Sequence, residues 1–214
     1  MKVKVFTFNP FYEKTYILFD ETKEAVLIDP GCFSLEEEQE LQHFIQQENL
    51  RIKFLLNTHC HLDHVFGNEF ICKHYQLLPQ FHEKELMIFR SVPQHASIYG
   101  FHNINLFSEP IHFLKENDEI IFGNQQKLKV IFVPGHSLGH IAFYHEQENA
   151  LFSGDVLFKN SVGRTDLPGS DVNDLLCSIF DKLYLLPENT IVFPGHGETT
   201  TIGAEKLNNP YTKR

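Results

Sequence analysis

Tryptophan is absent from the 214 residues, and methionine occurs only twice. Aromatic packing therefore rests on 21 phenylalanines and 7 tyrosines, which suit an ordinary protein interior. Cysteine is sparse. Cys32, Cys60, Cys72 and Cys177 form no C-x-x-C pair and no dense framework, which argues against a dithiol redox motif and against disulfide scaffolding. The thiols are expected to be reduced, buried or partly buried, in a cytoplasm. Basic residues are outnumbered, 18 Lys and Arg against 28 Asp and Glu, and no basic run occurs. A nucleic-acid partner, which calls for a stripe of cations facing phosphates, is not expected. No stretch approaches the roughly 20 apolar residues of a membrane span. The start, Met1-Lys2-Val3-Lys4-Val5, enters strand-like alternation with no signal-peptide core or cleavage site, so neither export nor a membrane partner is expected. No linker, tandem repeat or low-complexity segment divides the chain. Residues 1–214 read as a single domain, and 42% hydrophobic residues suffice for its core.

What is present is histidine, 13 of them, and their placement is uneven. Asn57-Thr58-His59-Cys60-His61-Leu62-Asp63-His64 follows the apolar run Ile52 to Leu56, read as a buried strand, and precedes a helix read over Val65 to Tyr75. His59 and His61, two apart, can point to one side and grip one ion. Asp63 and His64, on the next turn, can grip a second. Imidazole nitrogen and carboxylate oxygen suit zinc, iron or manganese. One such cluster carries limited weight in a histidine-rich chain. Three further strand ends carry more: Pro134-Gly135-His136, Gly154-Asp155 and Pro194-Gly195-His196-Gly197 each follow a short hydrophobic run. The small residues let the backbone turn sharply and bring a side chain close to an ion. Cys60 is expected to point away from its histidine neighbours, as a filler. His140 reads as a structural partner and His145 as a solvent-facing strand end.

The remaining elements follow from periodicity. Strands are expected at Val3 to Phe8, Thr15 to Phe19, Ala25 to Ile28, Ile120 to Phe122, Leu128 to Val133, Ile141 to Tyr144, Leu151 to Phe152 and Ile191 to Phe193. Ser34 to Gln47 is a helix with a capping box of Ser34 and Glu37. Further helices are expected at Glu83 to Arg90, extending towards Ser97, at Asp174 to Leu186, and from Ala204 onward. Val92 to Pro110, with His95, His102 and Asn105, lacks clear periodicity and is read as a loop or short helices over one rim of the site. Strands precede helices twice, which two sheets with helices outside them would accommodate.

The H-x-H-x-D-H cluster, the later single His, the Asp and the final His together resemble the metallo-β-lactamase-fold hydrolase superfamily. Within it the chain is most similar to the short glyoxalase II-like (hydroxyacylglutathione hydrolase-like) branch. The resemblance runs from Asp29-Pro30-Gly31 to Pro194-Gly195-His196-Gly197-Glu198-Thr199-Thr200. It implies an α/β protein with an αββα four-layer sandwich. It implies that His59, His61 and His136 hold metal 1, that Asp63, His64 and His196 hold metal 2, and that Asp155 bridges them. Asp29 becomes a structural prop for the metal loop. The cofactors implied are two divalent ions, zinc foremost, with iron or manganese as alternatives. The implied reaction is hydrolysis of an acyl thioester such as S-lactoylglutathione by a metal-bound hydroxide that Asp63 orients. Arg164, nine positions after Asp155, matches a basic residue that contacts the thiol carrier; the other reading is a salt bridge to Asp166 or Asp171.

Two departures count against glutathione as the carrier. Asp166 stands near where larger glyoxalase II enzymes place a Tyr. Only 18 residues follow His196, too few for the helical region that supplies their glutathione contacts. The competing readings are a mononuclear-iron persulfide dioxygenase, which shares a Gly-Arg-Thr-Asp segment (here Gly163 to Asp166) and would use His59, His136 and Asp155, and a hydrolase of another ester or amide. A non-catalytic zinc protein and an exported β-lactamase fit the complete ligand set and the N-terminus less well.

Overall fold

The structure, a computed structural model, describes residues 1–101, 104 and 113–213. Its contacts divide the chain into two units, Met1–Phe113 with Ile121–Gln126, and Leu114–Ile120 with Lys127–Arg214.

The first unit is built on a five-stranded sheet in sequential order: β1 (Lys2–Phe8), β2 (Glu13–Phe19), β3 (Glu24–Ile28), β4 (Arg51–Leu56) and β5 (Pro79–Gln80). β1, β2 and β3 pair antiparallel, whereas β3, β4 and β5 are parallel. The change of sense requires a crossover, and helix α1 (Leu35–Gln47) supplies it between β3 and β4. α1 starts where the capping box predicts. The Ser34 hydroxyl accepts the Glu37 N–H, and the Glu37 carboxylate accepts the Ser34 N–H. Its buried Leu41 and Ile45 pack on Phe6, Phe8, Ile17, Phe19, Leu27 and Leu55 of the sheet.

Beyond β4 the expected single helix is two: α2 (Leu62–Val65) and α3 (Asn68–Tyr75). The break falls at Phe66-Gly67. There the Gly67 N–H donates to the Pro30 carbonyl at 2.7 Å, so the chain bends to meet the turn after β3. A methyl at Gly67 would lie 2.4 Å from Cys32 Sγ and 2.8 Å from that same carbonyl. A 3₁₀ turn (Glu83–Glu85) leads into α4 (Leu86–Ile98), which buries Phe89, Val92 and Ala96 and runs through Pro93. Part of the segment read as irregular is therefore helical. The rest of that reading, with His102 and Asn105, lies outside the described residues.

The second unit carries a six-stranded sheet ordered β13-β12-β9-β8-β7-β6. Its strands are β6 (Glu119–Phe122), β7 (Gln126–Phe132), β8 (Ile141–His145), β9 (Ala150–Gly154), β12 (Ile191–Pro194) and β13 (Thr200–Thr201). The hairpin of β10 (Leu157–Phe158) and β11 (Ser161–Val162) stands apart from this sheet. β8 and β9 are buried at every residue, which fits their central place. That burial includes His145, at 1% exposure, so the solvent-facing role expected for it is wrong. Its ring lies inside the sheet and its Nδ1 accepts the Glu148 N–H. Helix α5 (Val172–Asp181) is capped by Asp171 and stops earlier than expected. Lys182 leaves the helical conformation, its Nζ donating to the Phe132 carbonyl, and a 3₁₀ turn (Leu183–Leu185) follows. α6 (Ile202–Asn208) completes the chain as predicted. Cys32, Cys60 and Cys72 are buried, but Cys177 is exposed, contrary to expectation. No helix among the described residues is long and apolar enough to cross a membrane.

Gly67→Ala is expected to destabilise the protein by about 1–3 kcal/mol, because the buried Cys32 thiol and the Pro30 carbonyl both crowd the new methyl. A urea midpoint that falls at constant m would show it.

Candidate metal centre

In the first unit, the parallel register pairs Ile28 with Leu56, so the ends of β3 and β4 lie side by side. That places Asp29 under the loop 57–64. Asp29 Oδ1 accepts the Thr58 N–H at 2.7 Å; its Oδ2 accepts the Thr58 hydroxyl at 2.7 Å and His64 Nδ1 at 3.1 Å. With its proton committed to the carboxylate, the Thr58 oxygen can only accept from His59 Nδ1, 3.1 Å away. Both imidazoles thus carry the proton on Nδ1 and present the lone pair on Nε2, the tautomer a metal ligand requires. The rings of His59 and His61 are 4.7 Å apart, and those of His59 and His64 are 4.1 Å apart. Asp63 Oδ2 stands 3.8 Å from His64 Nε2. The four residues of the first cluster therefore converge, and Asp29 takes the propping role expected of it.

In the second unit, His136 Nδ1 lies 2.9 Å from the Arg164 carbonyl, which can only accept. His136 therefore also presents Nε2. That atom is 3.7 Å from Asp155 Oδ2, and His196 Nε2 is 3.5 Å from the same oxygen. One carboxylate oxygen thus lies within reach of two imidazole nitrogens. Strand pairing produces it: β9 and β12 run parallel, and the Gly195 N–H donates to the Gly154 carbonyl at 2.9 Å, so Asp155 and His196 leave adjacent strand ends. The Asp155 N–H donates to His140 Nε2 at 3.0 Å, which makes His140 a structural partner, as expected. Gly163 approaches so closely that a Cβ there would lie 1.9 Å from the Asp155 carbonyl oxygen. The Gly163-Arg164 segment is thereby pressed against the ligands.

Arg164 makes the salt bridge that one of its two readings names. Its Nε and Nη2 grip Asp166 Oδ1 and Oδ2 at 2.6 and 2.7 Å. That bond holds the Asp166 carboxyl down to about 2. Both side chains are exposed, so the pair is exchangeable rather than stabilising.

Cys60 is fully buried among Leu62, Val65, Phe66, Phe81 and Phe89, and burial pushes its thiol well above the usual range. It is filler, as expected. Three residues of this region escape sequence reasoning. The buried Glu85 accepts the Cys60 N–H at 2.9 Å and so braces the backbone between His59 and His61. Asn9 Nδ2 donates to the Gly31 and Asp63 carbonyls at 2.9 and 3.1 Å. Glu13, buried beside His64, has its carboxyl pushed well up by burial. Glu85 and Asn9 show no spacing signal. Glu13, in the polar start Glu13-Lys14-Thr15 of its strand, shows none either.

These arrangements have relatives. A model of the metallo-β-lactamase superfamily matches residues 9–196, most of the chain. The chain belongs to the metallo-β-lactamase superfamily. It is 35% identical over 212 residues to hydroxyacylglutathione hydrolase GloC of Haemophilus influenzae, covering 99% of this chain and 98% of that protein. It matches the crystal structure of BLEG-1 B3 metallo-beta-lactamase with a TM-score of 0.91 and 34% identity, covering all of both chains. The crystal structure of TTHA1623 in a di-iron-bound form matches with a TM-score of 0.87 and 36% identity, over 98% of this chain and all of that one. The fold class expected from the resemblance, and its glyoxalase II-like branch, therefore stand. As a metallo-β-lactamase superfamily member the protein is a metal-dependent hydrolase by class.

Asp29→Asn removes the charge that fixes both His59 and His64. It should weaken metal binding about 10–100-fold in competition with a chromophoric chelator; undiminished affinity would deny Asp29 this role. The Asp166 carboxyl should titrate near 2 by NMR. In Arg164→Ala it should return towards about 3.9.

Proposed function

We propose that the protein is a dinuclear thioesterase of glyoxalase II type, with His59, His61 and His136 on one ion, Asp63, His64 and His196 on the other, and Asp155 shared. The observation that carries this reading is the Asp155 oxygen standing 3.7 and 3.5 Å from two imidazole nitrogens. Seven side chains of ligand type are also more than the four that one tetrahedral ion takes. The fixed Nε2 lone pairs of His59, His64 and His136 fit divalent ions with borderline preference, and zinc is our first assignment. Such ions, when bound, lower the pKa of a coordinated water to about 7 and polarise the substrate carbonyl.

The chain's own residues do the rest. Asp63 accepts a hydrogen bond from the attacking water and aims it at the acyl carbon. Asp29, Thr58 and His140 keep the ligands from turning away. A thiolate leaving group, with a conjugate-acid pKa of about 8.5, departs without a dedicated acid. That agrees with a ligand set to which no further general acid is assigned. Arg164 receives a substrate carboxylate in exchange for Asp166, since a bidentate fork accepts either. The relatives support the same direction: GloC is named for hydroxyacylglutathione hydrolysis, and TTHA1623 binds two irons.

The test is to purify the protein without added metal, count ions per chain, and assay a thioester panel that includes S-lactoylglutathione. Two ions and thioester hydrolysis are expected, both abolished by chelation and by His59→Ala or Asp155→Ala. A single iron with oxygen uptake on a persulfide would replace this reading with the dioxygenase.

A further inference from the structure

Among the described residues of the first unit, five aromatic rings form one surface beside the Asp63-His64 turn. Phe101 is at its centre, with ring centroids 5.9 Å from Phe11, 4.9 Å from Phe33 and 5.1 Å from Phe66. Phe33 and Phe66 are 4.8 Å apart, and Tyr99 meets Phe11 edge-on at 6.0 Å. Phe66 is nearly buried, but Phe11 and Phe33 are each 37% exposed and Tyr99 is 60% exposed. Open aromatic surface of this kind is costly in water and marks a binding place more often than chance.

The rings are not loosely hung. Three of them, Phe66, Phe11 and Phe33, come from segments tied to the candidate ligands. Phe66 follows directly on α2, which carries Asp63 and His64. Asn9 donates to the Asp63 carbonyl and accepts the Phe11 N–H at 3.0 Å. Glu37 accepts the Asn9 N–H and the Phe33 N–H, each at 2.7 Å. The ligand turn and the ring-bearing loops 9–12 and 31–33 therefore move as one piece. The open area, on the order of 300 Å² from these fractions, is well below the roughly 800 Å² a stable protein partner covers. It matches the size of one phenyl ring or short alkyl chain.

We propose that this surface is a subsite for an aromatic or aliphatic group of the thioester, so that apolar thioesters are preferred substrates over small polar ones. The proposal rests on the thioesterase reading. The group could belong to the acyl part or to the thiol part, and two substrate series separate these sources. The first places acetyl, hexanoyl and phenylacetyl groups on N-acetylcysteamine. The second places an acetyl group on 2-mercaptoethanol and on benzyl mercaptan.

In one series kcat/KM should rise about tenfold or more with the apolar group, a gain typical of burying a few methylenes. Phe11→Ala and Tyr99→Ala should each cut that ratio about fivefold. Phe11→Leu, which keeps an apolar side chain in the cluster, should cut it less, with thermal midpoints confirming the fold. A ketone analogue with CH₂ replacing the thioester sulfur gives a readout free of turnover, and its binding should weaken in the same variants. Hydrolysis with no apolar gain in either series, or a gain that survives both alanine variants, overturns the subsite and leaves the thioesterase reading intact. Absence of all hydrolysis with ring-dependent analogue binding overturns the thioesterase reading and upholds the subsite. Variants that change only the mass in sedimentation reject the subsite in favour of self-association.

Discussion

A single buried carboxylate organises the first half of the ligand set. Asp29 is 2% exposed and accepts three hydrogen bonds, two from Thr58 and one from His64. Through the Thr58 hydroxyl it also decides which nitrogen of His59 keeps its proton. A carboxylate in the interior is tolerated when its oxygens are satisfied by donors, and here satisfying it is the same act as orienting two ligands. The parallel pairing of β3 with β4 is what brings it there. The crossover helix α1, with its capping box, is the structural condition for that pairing, and the same Glu37 also ties the loops that follow β1 and β3.

The second half is arranged by other means with the same result. Asp155 is held by its backbone, through His140, and by the side-by-side exit of β9 and β12. His136 is oriented by a main-chain carbonyl rather than by an acid. That carbonyl belongs to Arg164, so the residue proposed to meet the substrate's anion also fixes a ligand. Under that proposal the exposed Arg164–Asp166 pair would hold the cation until an anion exchanges for Asp166, which its solvent exposure favours.

The strands and the residues of ligand type at their ends were legible because both depend on local pattern. Apolar runs that end in Gly or Pro-Gly and then a His or Asp mark rigid mounting points, and each of the expected longer strands is present. Helix limits were less legible. The break at Phe66-Gly67 accompanies a backbone bond to the distant Pro30 carbonyl, which leaves no trace in periodicity. His145 was misread because a polar residue at a strand end looks solvated, whereas here the ring is buried and bonded to the turn that follows. Short pairings such as β5 and β13, two residues each, exist only because a neighbour offers an edge.

The amino-acid order alone named the side chains of ligand type, since ligand type is a property of side chains and their placement at strand ends is a property of neighbours in the chain. It settled the superfamily as well, because seven such residues in that order form a narrow pattern. Only the tertiary structure decided which nitrogen each imidazole presents, that Asp155 lies between two of them, and that Asn9, Glu37 and Glu85 brace loops far from them in sequence. Those outcomes depend on hydrogen bonds between segments tens of residues apart, and such bonds come into being when parallel strands fall into register.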